Sequence, residues 1–298
     1  MSKYKLTVAV LTMNRADQMR HAVESCLNSA LPVDTQFLIV DNASTDHTQR
    51  VASELKDKSK YALLYYRLSE NRGVGGGRNV CFDLAEGEYL YILDDDAEIP
   101  VECNQTFFIK ALKYLDKNKD VMTLTTRIED NVYGKRTPIE AKNLSKDGLP
   151  CVYSFQGGST FLRKEYFQSP LFMNIMYGHE EVSVAMHVMN EGYYNVYMSE
   201  IYVNHLPKID KWKIDKNHIN LGGISNLYVI KSTLYPAIFR LPLWIVFRLR
   251  LRRYRIKDKA MLAEKREARI KFMKENKLEK IRVLTVIKAL KEFGITVF

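Results

Sequence analysis

The sequence predicts an α/β fold built on a mainly parallel sheet flanked by helices, with a C-terminal helical extension. Three observations carry this. Over the first 130 residues short β-rich runs alternate with helical stretches, as in strands joined by crossover helices. Thr12, Asp41 and Asp94 to Asp96 close three of these runs, where open α/β sheets bind ligands beyond the carboxyl ends of their strands. Charge is also segregated. Residues 236–298 carry 18 Lys+Arg and 6 Asp+Glu of the chain's 45 and 35, leaving a body with 27 basic and 29 acidic residues. The net charge of +10 therefore belongs to a basic tail on a near-neutral body, and such a tail suits an anionic surface, nucleic acid or membrane.

Residues 6–11 are a continuous apolar-leaning run, as in a strand covered on both faces. Ala22, Val23, Cys26 and Leu27 recur at helical spacing on a segment starting near Asp17. Residues 37–40 form a second strand ending at Asp41, and Ser44 or Asp46 would cap the next helix. A third strand at 63–67 precedes a glycine-rich stretch at 71–79 and a helix to about Glu86. The fourth strand, 89–93, ends in Asp94, Asp95 and Asp96. Residues 124–147 are polar and irregular, which predicts a loop or an excursion from the body. Beyond it come a strand at 155–162 carrying Gly157 and Gly158, a helix at 180–190 and a strand at 195–203. A polar stretch at 204–223 then leads into helices only, so a body over 1–222 and an extension over 223–298 are expected.

Composition excludes several classes. A hydrophobic fraction of 46% with 14 Gly and 8 Pro is that of a globular chain, neither collagen-like nor low-complexity. Four cysteines without a CxxC pair read as small core residues in a reducing compartment. Residues 1–14 lack a signal peptide's apolar core. No apolar run reaches the roughly 18 residues that span a bilayer; the longest candidate, 234–247, is broken by Pro236, Arg240 and Pro242. A cytoplasmic location is expected.

The acidic triplet is the sharpest chemical feature. Three adjacent carboxylates repel one another unless a cation or donors compensate. Hard divalent cations take oxygen ligands and share them with phosphates. A strand-end turn with solvated carboxylates is the plain alternative, and the two other polar strand ends nearby favour a metal. Gly73-Val74-Gly75 does not complete a dinucleotide fingerprint, because the third glycine falls at Arg78.

Four segments, VAVLTMNR (8–15), FLIVDNASTDHT (37–48), ENRGVGGGRN (70–79) and YLYILDDDAEIP (89–100), resemble the ordered signatures of family 2 glycosyltransferases. The resemblance covers about residues 5–205, and the 71–79 segment and the length are most similar to bacterial rhamnosyltransferase-like members. It implies a GT-A, Rossmann-like nucleotide-sugar domain, inverting transfer from a UDP- or dTDP-sugar, and Mn²⁺ or Mg²⁺. It also implies that Thr12 and Asn14, with Arg15 beside them, touch the nucleotide, and that Asp41 accepts the N3–H of a uracil or thymine. An acceptor-only carboxylate suits that imide, although a turn or helix-capping aspartate is the alternative. Asn42 and Ser44 are expected to shape the same turn. The glycines around Gly73 would let backbone approach the nucleotide, while Arg72 or Arg78 meets phosphate; Arg78 as ion-pair partner of the triplet competes with that role. Asp94-x-Asp96 matches the metal motif, with Asp96 as direct ligand, Asp94 nearer the ribose or behind the ligand, and Asp95 in the nucleotide site.

YGHEEVSVAMHVMNEGY (177–193) resembles the segment opening the helix that bears the general base. It departs from the usual pattern twice, having Glu180-Glu181 for Glu-Asp and Ser183 where a further acid is usual. Glu181 takes the base position by register, with Glu180 close behind; ordinary first-turn acids favoured by the helix dipole are the alternative. His205 matches a histidine used as a further metal ligand, and imidazole suits Mn²⁺ acceptably. Gly157 and Gly158 would let backbone lie against the donor sugar, or form a tight strand bend. Trp212 lies in a lid-like polar segment and could stack on a sugar.

Residues 234–247 are aromatic and apolar, and 248–259 are densely cationic. An amphipathic segment of that kind lies in a membrane interface, and anionic lipid contributes on the order of 1 kcal/mol per nearby basic residue. The expectation is a peripheral protein whose 234–259 segment meets the inner face of the plasma membrane. There a saccharide or lipid-linked acceptor would be extended in bacterial surface polysaccharide synthesis. An internal or dimer-packing helix, in a homo-oligomer, is the alternative. Two other classes fit less well. A sugar-nucleotide nucleotidyltransferase needs a basic glycine-rich phosphate loop after the first strand, and residues 11–15 offer none. A nucleic-acid-binding protein would leave the acids at 94–96 and 180–181 unexplained and phosphate-repelling, so no nucleic-acid partner is expected.

Overall fold

The computed structural model describes residues 2–132, 134–173, 178–207, 216–253, 263–264, 266–267, 270–271 and 279–298, with 216–222 as backbone only. The predicted alternation is present in the first half. Strands β1 (Tyr4–Thr12), β2 (Thr35–Asp41), β3 (Ala62–Arg67) and β4 (Gly87–Asp94) are joined by α1 (Ala16–Leu27), α2 (Thr48–Lys58) and α3 (Gly73–Leu84). β1 pairs in parallel with β2 and β4, and β2 with β3. The order therefore reverses at β1, and such a switch point opens a crevice beyond the carboxyl ends of the strands.

The period-2 pleat explains why these strands read as unbroken apolar runs. Val8, Val10, Phe37, Ile39, Tyr91 and Leu93 enter one core with α1 and α2, while Ala9, Leu38, Val40, Leu90 and Ile92 enter another with Cys81 and Phe82 of α3. All four cysteines are free and buried.

The second half adds β5 (Ala97–Glu98), α4 (Phe107–Lys117), β6 (Val121–Asp130), β7 (Gly134–Arg136), β8 (Glu140–Lys146), β9 (Leu149–Val152) and β10 (Ser159–Arg163). Next come α5 (Glu181–Asn190), β11 (Tyr194–His205), α6 (Lys216–Leu234), α7 (Arg240–Arg253) and α8 (Val283–Phe293). The sheet runs β3-β2-β1-β4-β10-β6-β11-β9-β8, with β5 on β11 and β7 on β6. β10 is antiparallel to β4 and β6, whereas β11 is parallel to β6.

Three local expectations are corrected. The polar text at 124–147 is mostly strand: β6 runs to Asp130, and β7 and β8 follow. β8 closes the sheet edge with most side chains exposed, so no apolar alternation marks it. The glycine-rich stretch is helical from Gly73, and packing overrides its poor propensity: a Cβ on Gly77 would come within 2.5 Å of Leu11 Cδ1. Gly157 and Gly158 precede β10 rather than lying within it.

The extension shares a core with the body. Tyr153, Met173, Val182 and Met186 pack with Ile230, Leu234, Tyr235, Phe239, Val286, Phe293 and Val297. Asn190 Oδ1 accepts the Arg282 N–H (2.8 Å) and the Thr285 hydroxyl (3.1 Å), so α8 is tied to the end of α5. A boundary at 222 therefore cuts through a common core. Among the described residues no helix is long and apolar enough to cross a membrane.

Candidate active site

The carboxyl ends of β1 and β4 bring the acidic triplet together with three cationic groups. Arg15, at the start of α1, sets Nη1 2.9 Å from Asp95 Oδ1 and 2.7 Å from Asp96 Oδ2. The Thr12 hydroxyl donates to Asp95 Oδ2 at 2.7 Å. Arg78 Nη2 lies 2.9 Å from Asp94 Oδ1, and His205 Nε2 lies 3.1 Å from Asp96 Oδ1. These contacts offset the repulsion that makes such a triplet costly. Burial nevertheless pushes the Asp95 carboxyl up to about 7, against the lowering effect of Arg15. In Asp96 the His205 and Arg15 charges outweigh burial and hold its pKa below the ordinary value.

Asp94, Asp96 and His205 each offer one ligand atom, all within 4.8 Å of one another. Two carboxylate oxygens and an imidazole nitrogen form a donor set that fits Mn²⁺ or Mg²⁺. His205 is oriented from behind: Nδ1 lies 2.8 Å from Asp130 Oδ2, and Asp130 is itself paired with Arg136 of β7. A carboxylate on one ring nitrogen is how a ligating histidine presents the other. Burial alone would lower the His205 pKa, but bonding to Asp96 raises it above the ordinary imidazole value, and the ring bridges the two carboxylates of Asp96 and Asp130. Asp130 and Arg136 escaped the sequence reading because they sit in text taken for a loop. The available signal was a further strand-end acid, Asp130, closing the Val-, Thr- and Ile-containing run at 121–130.

Arg78 continues the network away from the triplet. It is buried, its other nitrogen pairs with Glu180 Oε1, and the two carboxylates raise its pKa against burial. Arg78 thus pairs with one acid of the triplet, Asp94, and with Glu180. Gly157 and Gly158 make room for this network: a Cβ on Gly157 would overlap the Arg78 guanidinium, and one on Gly158 would come 2.5 Å from Asp94 Oδ2.

Glu180 and Glu181 open α5 in different circumstances. Glu180 is 3% exposed, and its Oε2 has no hydrogen-bond partner among the described residues. Glu181 is half-buried, and burial together with the Glu180 charge pushes its carboxyl up to about 8. Asn79 holds the approach to this helix, accepting from the Leu171 and Phe172 N–H groups at 2.9 and 2.7 Å.

The outer strand ends are already braced. Asp41 is 1% exposed; its Oδ1 accepts from the Ser44 N–H at 2.8 Å and its Oδ2 from the Tyr65 hydroxyl at 2.6 Å. In this conformation Asp41 shapes the turn. Asn14, at φ 55°, accepts the Thr45 N–H at 2.7 Å, which fixes the loop after β1. Asn42 bonds the Arg72 N–H at 2.8 Å and the Gly73 carbonyl at 3.2 Å, joining the β2 turn to the start of α3. Arg72 itself is exposed. Trp212 lies outside the described residues, as do 254–259.

Comparison with known proteins agrees with this architecture. The model of the family described as glycosyl transferase family 2 matches residues 7–174. An uncharacterized glycosyltransferase of Methanocaldococcus jannaschii is 25% identical over 171 residues, 56% of this chain and 53% of that protein. The GalNAc(5)-diNAcBac-PP-undecaprenol beta-1,3-glucosyltransferase of Campylobacter jejuni is 25% identical over 178 residues, 59% of this chain and 57% of that protein. The chain thus matches little more than half the length of these relatives. In fold, the chain is similar to S. aureus TarS 1-349 in complex with UDP-GlcNAc, with a TM-score of 0.61 at 17% identity, covering 83% of this chain and 72% of that one. GalNAc-T7 with UDP, GalNAc and Mn²⁺ gives 0.62 at 14% identity, over 89% of this chain and 55% of that one. These likenesses establish a GT-A-like α/β fold.

Proposed function

The chain belongs to glycosyl transferase family 2, and from that membership we propose that it is an inverting glycosyltransferase that moves a sugar from a UDP- or dTDP-sugar to a saccharide or lipid-linked acceptor. One observation carries the reading. Arg78 ties the Asp94 end of the metal-ligand cluster to the Glu180-Glu181 start of α5, so groups suited to a leaving diphosphate and to an attacking hydroxyl share one network. The Campylobacter relative's name, which specifies an undecaprenol-linked acceptor, supports a lipid-linked acceptor. The sequence's rhamnosyltransferase-like segment keeps dTDP-sugars among the donors. The reading sets the reaction in bacterial surface polysaccharide synthesis, on the cytoplasmic side of the plasma membrane.

In this mechanism Asp96, Asp94 and His205 would hold the divalent cation, with Asp130 keeping the His205 ring in place. When bound, the cation supplies Lewis-acid neutralisation of the departing diphosphate. Glu181 takes the acceptor hydroxyl's proton, and the oxygen attacks the anomeric carbon opposite the leaving group. The carbon–oxygen bond to the diphosphate breaks, and its electron pair leaves with the nucleoside diphosphate. A carboxyl with a pKa near 8 is a stronger base than an ordinary glutamate. Glu180, locked by Arg78, turns its unpartnered Oε2 to a donor such as a sugar hydroxyl. Thr12, Arg15 and the turns at Asn14, Asp41 and Arg72 border the nucleotide, and the backbone at Gly157 and Gly158 borders the donor sugar.

The test is donor hydrolysis across several UDP- and dTDP-sugars, with and without Mn²⁺. Metal-dependent hydrolysis of at least one donor, lost in Asp96→Asn, is expected. Hydrolysis of none, or near-normal turnover by Asp96→Asn, overturns the reading.

A further inference from the structure

We infer that the outward face of α7 docks on an anionic lipid bilayer. The inference deepens the lipid-linked-acceptor reading by naming the surface that presents the acceptor, and its geometry stands apart from the catalytic groups. α7 is apolar on both sides, unlike an ordinary surface helix, whose outer face is polar. Its inward side is filled by Leu243 and Leu251, both buried, and by Phe247, whose ring stacks on Tyr228 at 4.3 Å. Outward stand Leu241 at 65%, Trp244 at 50%, Ile245 at 44% and Leu249 at 56% exposed, with Ile238 at 67% just before the helix. Leu241, Ile245 and Leu249 recur every fourth residue and so share one stripe. Arg240, Trp244, Arg248 and Arg252 form the adjacent stripe, with the Arg248 guanidinium 5.8 Å from the Trp244 ring centroid. A contiguous exposed apolar face marks an interaction site.

Charge selects the occupant. Residues 216–257 contain 9 Lys+Arg and no Asp or Glu. A second copy docking through the same face about a two-fold axis would set Arg240, Arg248 and Arg252 against themselves with no acid to pair. An anionic bilayer accepts both stripes, the apolar side chains entering the acyl boundary and the arginines staying among the headgroups. An exposed apolar stripe with a cationic stripe beside it along the same helix is the pattern of a helix lying in the plane of the interface. This narrows the expected 234–259 segment, since Leu234, Tyr235 and Phe239 belong to the core.

The experiment is co-sedimentation of the full chain with vesicles of phosphatidylcholine alone or mixed with phosphatidylglycerol, alongside size-exclusion light scattering. The chain is expected to bind the mixed vesicles and not the neutral ones. The triple variant Leu241→Ser, Ile245→Ser, Leu249→Ser should lose roughly tenfold or more in binding while keeping donor hydrolysis in solution. Equal binding to both vesicle types, unchanged binding by the triple variant, or a dimer that the variant converts to monomer overturns the inference. Because hydrolysis is read without lipid, failure to bind vesicles with hydrolysis intact rejects the surface and spares the transferase reading; binding without hydrolysis does the reverse.

Discussion

Glu180 and Glu181 are adjacent carboxylates placed in different environments. Glu180 is paired to Arg78, while Glu181 carries a proton affinity pushed up to about 8 by burial and by Glu180. A base works deprotonated, so kcat/KM should climb as pH rises toward about 8 and level off above it. Glu181→Gln should lower kcat by about 10²- to 10⁴-fold and abolish that limb; an unchanged profile in the variant removes Glu181 as the base. The same scale governs His205. Asp130→Asn should weaken Mn²⁺ binding about 10- to 100-fold, read by the Mn²⁺ electron paramagnetic resonance signal, and wild-type affinity in the variant would show that Asp130 does not orient the ring. Most of the candidate site residues were legible because a strand end or helix start displays them: Thr12, Asp41, the triplet, Glu180, Glu181 and His205 all sit there. Asp130 was not, because its partner His205 is 75 residues away, and only the pairing of β6 with β11 brings them together.

At the scale of elements, the misses share one cause. β8 and the helical start of α3 contradict their local composition, and each is fixed by neighbours distant in sequence: the sheet beside β8, and Leu11 against Gly77. The α4 helix, by contrast, carries its own signal in the sequence: Phe107, Phe108, Ala111, Leu112 and Leu115 recur at helical spacing, and all are buried. The contact between α3 and α5 is where an element's placement becomes chemistry. Arg78→Met would leave Glu180 buried without its cation, a class of change that costs about 3–5 kcal/mol. Urea denaturation should show that loss, and adding Glu180→Gln should restore much of the stability while activity stays low. Additive destabilisation in the double variant would mean that the two side chains are not coupled.

For the whole molecule, the charge asymmetry suggested an appendage, yet the chain's last residues are structural. Val286, Ala289, Phe293 and Val297 are buried in the same core as Val182 and Met186 of α5, and α5 carries Glu181 at its first position. Burying a large apolar side chain contributes about 1.5–3 kcal/mol, whereas a domain's net stability is only about 5–15 kcal/mol. Removing residues 280–298 should therefore unfold the body as well as shorten the tail, seen as loss of a cooperative thermal transition by circular dichroism. A truncation can fail for trivial reasons, so Asn190→Ala is the companion test. It strips the acceptor shared by the Arg282 N–H and the Thr285 hydroxyl, and a lost buried acceptor of that kind costs about 1–3 kcal/mol. A shortened chain that melts within a few degrees of the full one, with Asn190→Ala unchanged in stability, would make the extension separable. A lowered transition in both would mean that the basic tail is anchored through the helix bearing the proposed base, so that whatever α7 touches is held in fixed relation to the reaction.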